Sequence, residues 1–213
     1  MRDLLKSAFG ALAAILALLV AAPAAASQAP PAAAGEGVLV YSVSTLSISM
    51  NFTFEYRRIG LPTGEAVQDR PRFIECRCVG FFRAQMANPD YAGRETGKVF
   101  VTRLPAGRYE VFDFGFGGSL GGMGTSWSSR TRFSMPFTIR PGEATYIGNF
   151  ARAPSLGTPL EPQLGAAGFF VISDKSERDF PIARSREPSL TDIRKEITDV
   201  SQFSHAALRT SEP

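Results

Sequence analysis

The chain has 213 residues, 44% of them hydrophobic and 20% charged, with a formal net charge of +3, two cysteines and one histidine. That length suits one domain of moderate size with a real core. The near balance of charge excludes the concentrated basic face of a nucleic-acid binder, because arginines such as Arg57, Arg58, Arg70, Arg72 and Arg130 are scattered among acids and turns.

The N-terminus carries the parts of a secretion signal in order: Arg2 and Lys6, an uncharged apolar run over residues 8–22, Pro23, and small residues ending at Ala26. Residues 1–26 are expected to be a signal peptide cut between Ala26 and Ser27. The run is short and alanine-rich against the roughly 20 residues of a membrane span, so no stable span is expected after cleavage. The expected location is periplasmic or extracellular. Residues 27–37 form a Pro/Ala/Gly linker that buries too little apolar surface to order itself.

From Val38 the pattern changes to strands, and residues 38–173 read as one β domain. In "SISMNFTFEYR", Ile48, Met50, Phe52, Phe54 and Tyr56 alternate with Ser49, Asn51, Thr53, Glu55 and Arg57, as a half-buried strand requires. The segment "RFIECRCVGFFR" places Ile74, Cys76, Cys78 and Phe82 on one face. "KVFVTRLPAGRYEVFDFGF" reads as strand, turn, strand, and "RFSMPFTIRPGEATYIGNF" repeats that grammar around Pro141-Gly142. "GFFVIS" closes the series. The expectation is a mainly β fold: an antiparallel β-sandwich of about seven or eight strands with a short helical C-terminal segment.

At Asp174 the period changes again. Asp174 and Glu177 stand at capping-box spacing, and the acids Asp174, Glu177 and Asp179 are expected to serve the start of a helix rather than acid-base chemistry. Leu190, Ile193, Ile197 and Val200 fall at helical spacing, so residues 174–203 are expected to be helical and 204–213 a flexible tail.

The paired units "LPAGRYEV" and "FTIRPGEATYIGNF" resemble those of prealbumin-like (transthyretin-like) sandwich domains in bacterial exported proteins, over residues 99–173. The resemblance implies a seven-stranded sandwich used for binding, adhesion or accessory roles, and brings no catalytic residues.

Three constellations carry possible chemistry. Gly117-Gly118-Ser119-Leu120-Gly121 fits the G-x-S-x-G nucleophile elbow, and the order Ser119, then acids, then His205 fits a serine hydrolase. The elbow requires a helix directly after the serine, yet Gly121, Gly122 and Gly124 follow, each disfavouring helix by about 1 kcal/mol relative to alanine. The only histidine, His205, lies in the expected tail, where a base is not held in register. Residues 115–130 are therefore expected to be an interstrand loop offering a contact surface. Trp127 is either the side chain that anchors a partner there or a lid on the core.

Cys76 and Cys78 are two apart, about 6.6 Å between Cα atoms in an extended strand and near the upper limit for a disulfide. A local disulfide, two buried thiols, and a thiol-redox or soft-metal site all remain open. Two thiolates and one remote histidine do not make a zinc site, and no cofactor is implied. The expected function is that of an exported, non-enzymatic binding or accessory module of the cell envelope, its partner an unknown envelope protein or small ligand.

Overall fold

A computed structural model of the chain describes residues 35–45, 51–60, 72–76, 88–120, 123–128, 131–153, 169–205 and 207–210, with backbone alone for 51, 73, 75, 76, 116–120 and 123–128. The expected cut between Ala26 and Ser27, the linker up to residue 34, and Cys78 lie outside the described residues.

The strands are β1 (Glu36–Thr45), β2 (Asn51–Ile59), β3 (Arg72–Cys76), β4 (Thr96–Pro105), β5 (Gly107–Leu120), β6 (Met123–Ser128), β7 (Met135–Ile139), β8 (Ala144–Ala153), β9 (Phe169–Ser173), β10 (Ile193–Lys195) and β11 (Leu208–Arg209). One helix, α1 (Ser176–Arg186), precedes β10, and a 3-10 turn spans Val200–Gln202. One sheet runs β11-β9-β8-β1-β4, with β10 also on β8; the other runs β3-β2-β5-β6, with β7 also on β5. The two sheets make a mainly β sandwich with a helical C-terminal element. Most pairs are antiparallel, but β1 and β10 pair with β8, and β11 with β9, in parallel.

Alternation builds the inner layer. Phe52, Phe54 and Tyr56 of β2 are buried, as are Ile74 of β3 and Met135, Phe137 and Ile139 of β7. Phe54 sits at the centre, 4.5 Å from the Phe170 ring, 4.8 Å from Phe150 and 5.8 Å from Phe114, so it ties the two sheets together. Burying a phenylalanine of this kind contributes about 1.5–3 kcal/mol, and the tilted and edge-on ring geometry adds about 0.5–1.5 kcal/mol per pair.

Every residue of β1 after Glu36 is buried, because β1 is covered on both faces. Leu39, Tyr41 and Val43 join the core between the sheets, while Val38 and Val40 join a second cluster with Val99, Tyr146, Ala183 and Leu190. That second layer lies under α1. Pro141-Gly142 makes the expected turn between β7 and β8, with Gly142 in the left-handed region at φ +71°.

Three expectations fail. The described part of residues 115–130 is not a loop: Gly115–Leu120 and Met123–Ser128 pair residue for residue, from Gly115 with Ser128 to Leu120 with Met123. The glycines of this stretch disfavour helix, but their extended backbone finds ladder partners in β2 and β6. The helix expected through Leu190, Ile193, Ile197 and Val200 is also absent. Ile193–Lys195 instead lie beside Ala144–Tyr146 of β8, an edge left open because β9 pairs only with Asn149–Ala153. Leu190 and Val200 are buried as their spacing suggested, but the ladder sites of β8 outweigh helical spacing in a β-branched segment. The tail is ordered in part, since Leu208 and Arg209 add to β9.

Candidate functional site

Ser119 lies inside β5, in register with Gly124 of β6, so the strand runs on through it and no helix starts after it. The strand-turn-helix backbone of a nucleophile elbow is therefore missing. Trp127 sits in β6 opposite Phe116, and Cys76 ends β3 opposite Phe52. The side chains of Ser119, Trp127 and Cys76 lie outside the described residues. β2 accompanies β5 as far as Asn51 opposite Gly117, and from Gly118 to Leu120 the described partner is β6 alone.

His205 is not in a loose tail. Its ring meets Phe114 edge-on at 5.3 Å and Phe133 at 5.6 Å, and its Nδ1 accepts the Ala207 N–H at 3.2 Å. Ser119 is five residues along β5 from Phe114, about 16 Å of extended strand.

The densest polar cluster lies elsewhere, between α1 and the outer face of the β1–β8 sheet. Asp179 is 0% exposed and accepts hydrogen bonds from the Ser42 hydroxyl at 2.5 Å, the Tyr146 hydroxyl at 2.6 Å and Arg178 Nε at 2.8 Å. The Ser42 hydroxyl also lies 2.8 Å from Asn149 Oδ1, and its single proton is shared between the two acceptors. Asn149 Nδ2 donates to Ser44 Oγ at 3.1 Å and to Glu95 Oε1 at 2.8 Å. The Arg178 guanidinium stacks 3.6 Å above the Tyr91 ring, pairs with Glu95 at 3.2 Å and donates to Ser42 at 3.3 Å.

Local backbone chemistry puts these groups together. Ser42 and Ser44 follow Val38 and Val40 at alternate positions of β1 and share their face. In β8 the alternation would turn Asn149 inward, but Gly148, at φ +105°, forms a bulge between the Val40–Tyr146 and Ser42–Asn149 pairs. The bulge sends Asn149 outward under α1 and Phe150 into the core. Asp179 is the fourth residue of α1 and faces the sheet one helical turn before Ala183, which is also buried.

Burial is the main force on the two tyrosines of the cluster. It pushes Tyr146 far up, with the adjacent Asp179 carboxylate adding to the rise, and it raises Tyr91 despite the opposing Arg178 charge. Both phenols therefore keep their protons as donors. Ser42 and Asp179 are both 0% exposed, and the oxygens they present are occupied by one another and by their neighbours. The arrangement has a serine and a carboxylate but no imidazole among its described members. Its chemistry is that of a clamp: a buried charge, fully hydrogen-bonded, that fixes α1 on the sheet.

The helix-start acids are thus divided. Asp174 accepts the Ser176 N–H at 2.9 Å and pairs with Lys195 at 2.8 Å. Burial alone would push its carboxyl up, but the Lys195 and Ser176 bonds outweigh it and hold it below the usual range. Glu177 is exposed in the first turn, whereas Asp179, expected to serve the helix start, is a core residue of the clamp. Sequence reasoning missed Ser42, Ser44 and Asn149 altogether. The available signals were hydroxyls inside the apolar run "VLVYSVST" and a lone glycine inside the strand "YIGNF".

A second polar set fastens the C-terminal arm to the free edge of β7. Thr138 N–H donates to Glu196 at 2.5 Å, and its carbonyl accepts from Arg194 at 2.9 Å and from the Thr145 hydroxyl at 2.8 Å. Among the described residues, no cluster of three or more His, Cys, Asp or Glu side chains is placed to hold a metal ion. No helix of the described residues is long and apolar enough to cross a membrane.

No protein-family model and no curated protein matches this chain. Among solved structures, a leucine-rich repeat protein from Bacteroides thetaiotaomicron aligns with 13% identity and a TM-score of 0.32, over 55% of this chain and 14% of that one.

Proposed function

We propose that this chain is an exported, non-enzymatic binding or accessory module of the cell envelope, contacting an envelope protein or small ligand through the β5–β6 hairpin. The observation that supports it best is the placement of Gly118–Leu120 and Met123–Thr125, which pair with each other past the described end of β2 at one end of the sandwich. Sandwich ends of this kind vary freely while the strands hold them, which suits recognition. The resemblance of residues 99–173 to prealbumin-like domains of exported proteins supports the same reading, as does the leader-like sequence of residues 1–26. Trp127 in β6 is the aromatic residue best suited to anchor a partner.

A photo-crosslinking amino acid at Ser119 or Thr125, compared with one at Arg140 beside the Pro141-Gly142 turn, tests the reading in intact cells. The expected result is a discrete adduct from the hairpin positions and none from Arg140. Adducts from all three positions or from none contradict it. The mature N-terminus is expected at Ser27. A fluorophosphonate probe is expected to leave the protein unlabelled, and labelling lost on Ser119→Ala overturns the non-enzymatic reading.

A further inference from the structure

Two strand edges of the sandwich are closed by the same arrangement of side chains, drawn from different segments. Among the described residues β4 is the last strand of its sheet. At its middle the Val99 N–H donates to Asp90 Oδ2 at 2.7 Å, the Val99 carbonyl accepts from Arg186 Nη1, and Arg186 Nη2 pairs with Asp90 Oδ1 at 2.5 Å. On the outer edge of β7 the Thr138 N–H donates to Glu196 Oε2 at 2.5 Å, the Thr138 carbonyl accepts from Arg194 Nη2 at 2.9 Å, and Arg194 Nη1 pairs with Glu196 Oε1. In each case one carboxylate and one guanidinium, joined to each other, take both backbone groups of a single edge residue. A neighbouring strand would make those same two bonds.

We infer that the two ion pairs are edge guards: side chains standing in for a strand, which keep a second copy of this chain from adding to the sheet. An edge strand presents a row of N–H and C=O groups with which another extended chain can pair, and β4 is ten residues long, with Thr96, Val99, Val101 and Thr102 all β-branched. That length and composition suit strand addition.

Backbone groups on one strand edge come from alternate residues, so Gly97, Val101 and Arg103 share the edge of Val99. Gly97 is already taken, since its N–H donates to the Tyr91 carbonyl at 3.1 Å and its carbonyl accepts the Asp90 N–H at 2.8 Å. Two copies meeting through this edge would pair antiparallel about a two-fold axis at Val101, with Val99 of each opposite Arg103 of the other. The Asp90–Arg186 pair holds the Val99 position and so denies both ends of that ladder. On β7 the same parity groups Thr138 with Pro136, which has no N–H, and with Arg140, whose carbonyl accepts the Glu143 N–H at 3.2 Å in the turn. Edge β7 is thus blunted at three successive positions, and β4 is the edge that depends most on its guard.

The test is sedimentation velocity of the purified protein over a dilution series, joined to hydrogen exchange. Asp90→Ala with Arg186→Ala removes the β4 guard, and Arg57→Ala with Glu110→Ala removes an ion pair that crosses two paired strands of the other sheet. The guardless variant is expected to self-associate at least about tenfold more tightly than wild type, with the Val101 and Arg103 amides gaining protection as concentration rises. Adding Val101→Pro removes an edge N–H without touching the β1 ladder and is expected to return the variant to wild-type behaviour. Association no tighter than wild type, equal association in the Arg57 and Glu110 control, or association that leaves the Val101 and Arg103 amides unprotected overturns the inference. If the double variant does not fold, Arg186→Ala alone, which frees the Val99 carbonyl, decides it by the same two readouts.

Discussion

The two outer faces of the sandwich use the same kinds of residue to different ends. Between the β1–β8 sheet and α1, Ser42 and Asn149 of the sheet and Asp179 of the helix are all 0% exposed. On the β2–β5 sheet, Arg57 and Glu110 make an equally short pair at 2.7 Å, but the Arg57 side chain is 51% exposed. Exposed pairs contribute about 0–1 kcal/mol because water and salt screen them, whereas removing one member of a buried set strands its partners without water. Polar residues on the covered face thus specify where α1 docks, and those on the open face leave the sheet tolerant of change.

The largest expected effect is on the covered side. Asp179→Ala leaves the Ser42 and Tyr146 hydroxyls and the Arg178 guanidinium without their shared acceptor and is expected to cost about 3–5 kcal/mol in urea unfolding. At the rim of the same cluster, Gly97→Ala places a methyl group against the Tyr91 hydroxyl and the Val43 carbonyl, backbone that cannot retreat. An overpacking loss of about 1–3 kcal/mol is expected, read as a lower Tm.

On the open face the effects are small and one is reversed. Glu55 and Asp113 stand directly opposite each other across β2 and β5. Burial, and then the Asp113 charge, raise the Glu55 carboxyl above its ordinary value. A raised carboxyl binds its proton more tightly in the folded state, so its unfavourable contribution grows as pH rises through the carboxylate range. Glu55→Gln is therefore expected to stabilise the protein by about 0.2–1 kcal/mol at pH 7, and the gain is expected to vanish below about pH 4. Arg57→Ala, which removes the Glu110 pair and the stacking on Phe112, is expected to cost less than about 1 kcal/mol. An effect on this face as large as that of Asp179→Ala would erase the distinction between the two faces.

How much of this was legible depended on whether a residue's fate is set locally. Strict alternation in "NFTFEYR" placed Phe52, Phe54 and Tyr56 in the core, and Pro141-Gly142 marked a real turn, because both follow from backbone geometry within a few residues. Glycine-rich sequence has weak intrinsic preference, so the β5–β6 stretch carries no local strand signal, and its strand state comes from β2 and from its own return strand. Ile193 and Ile197 fit a helical stripe equally well, and only the open edge of β8 beside residues 144–146 decides for a strand. The clamp was hidden for a related reason. Ser42, Asn149 and Asp179 come from three distant segments and meet only once the Gly148 bulge has re-aimed β8. His205, placed by sequence in a tail, is held by rings from β5 and from residue 133.

The central claim is that the Ser42–Asp179 cluster holds the fold rather than performs chemistry. An equilibrium urea double-mutant cycle on Ser42→Ala and Asp179→Asn tests it most directly. The account predicts that each substitution destabilises and that the two are coupled by about 1–3 kcal/mol, as expected for groups in one buried network. Near-wild-type stability in both single variants, with additive effects in the double variant, would contradict it.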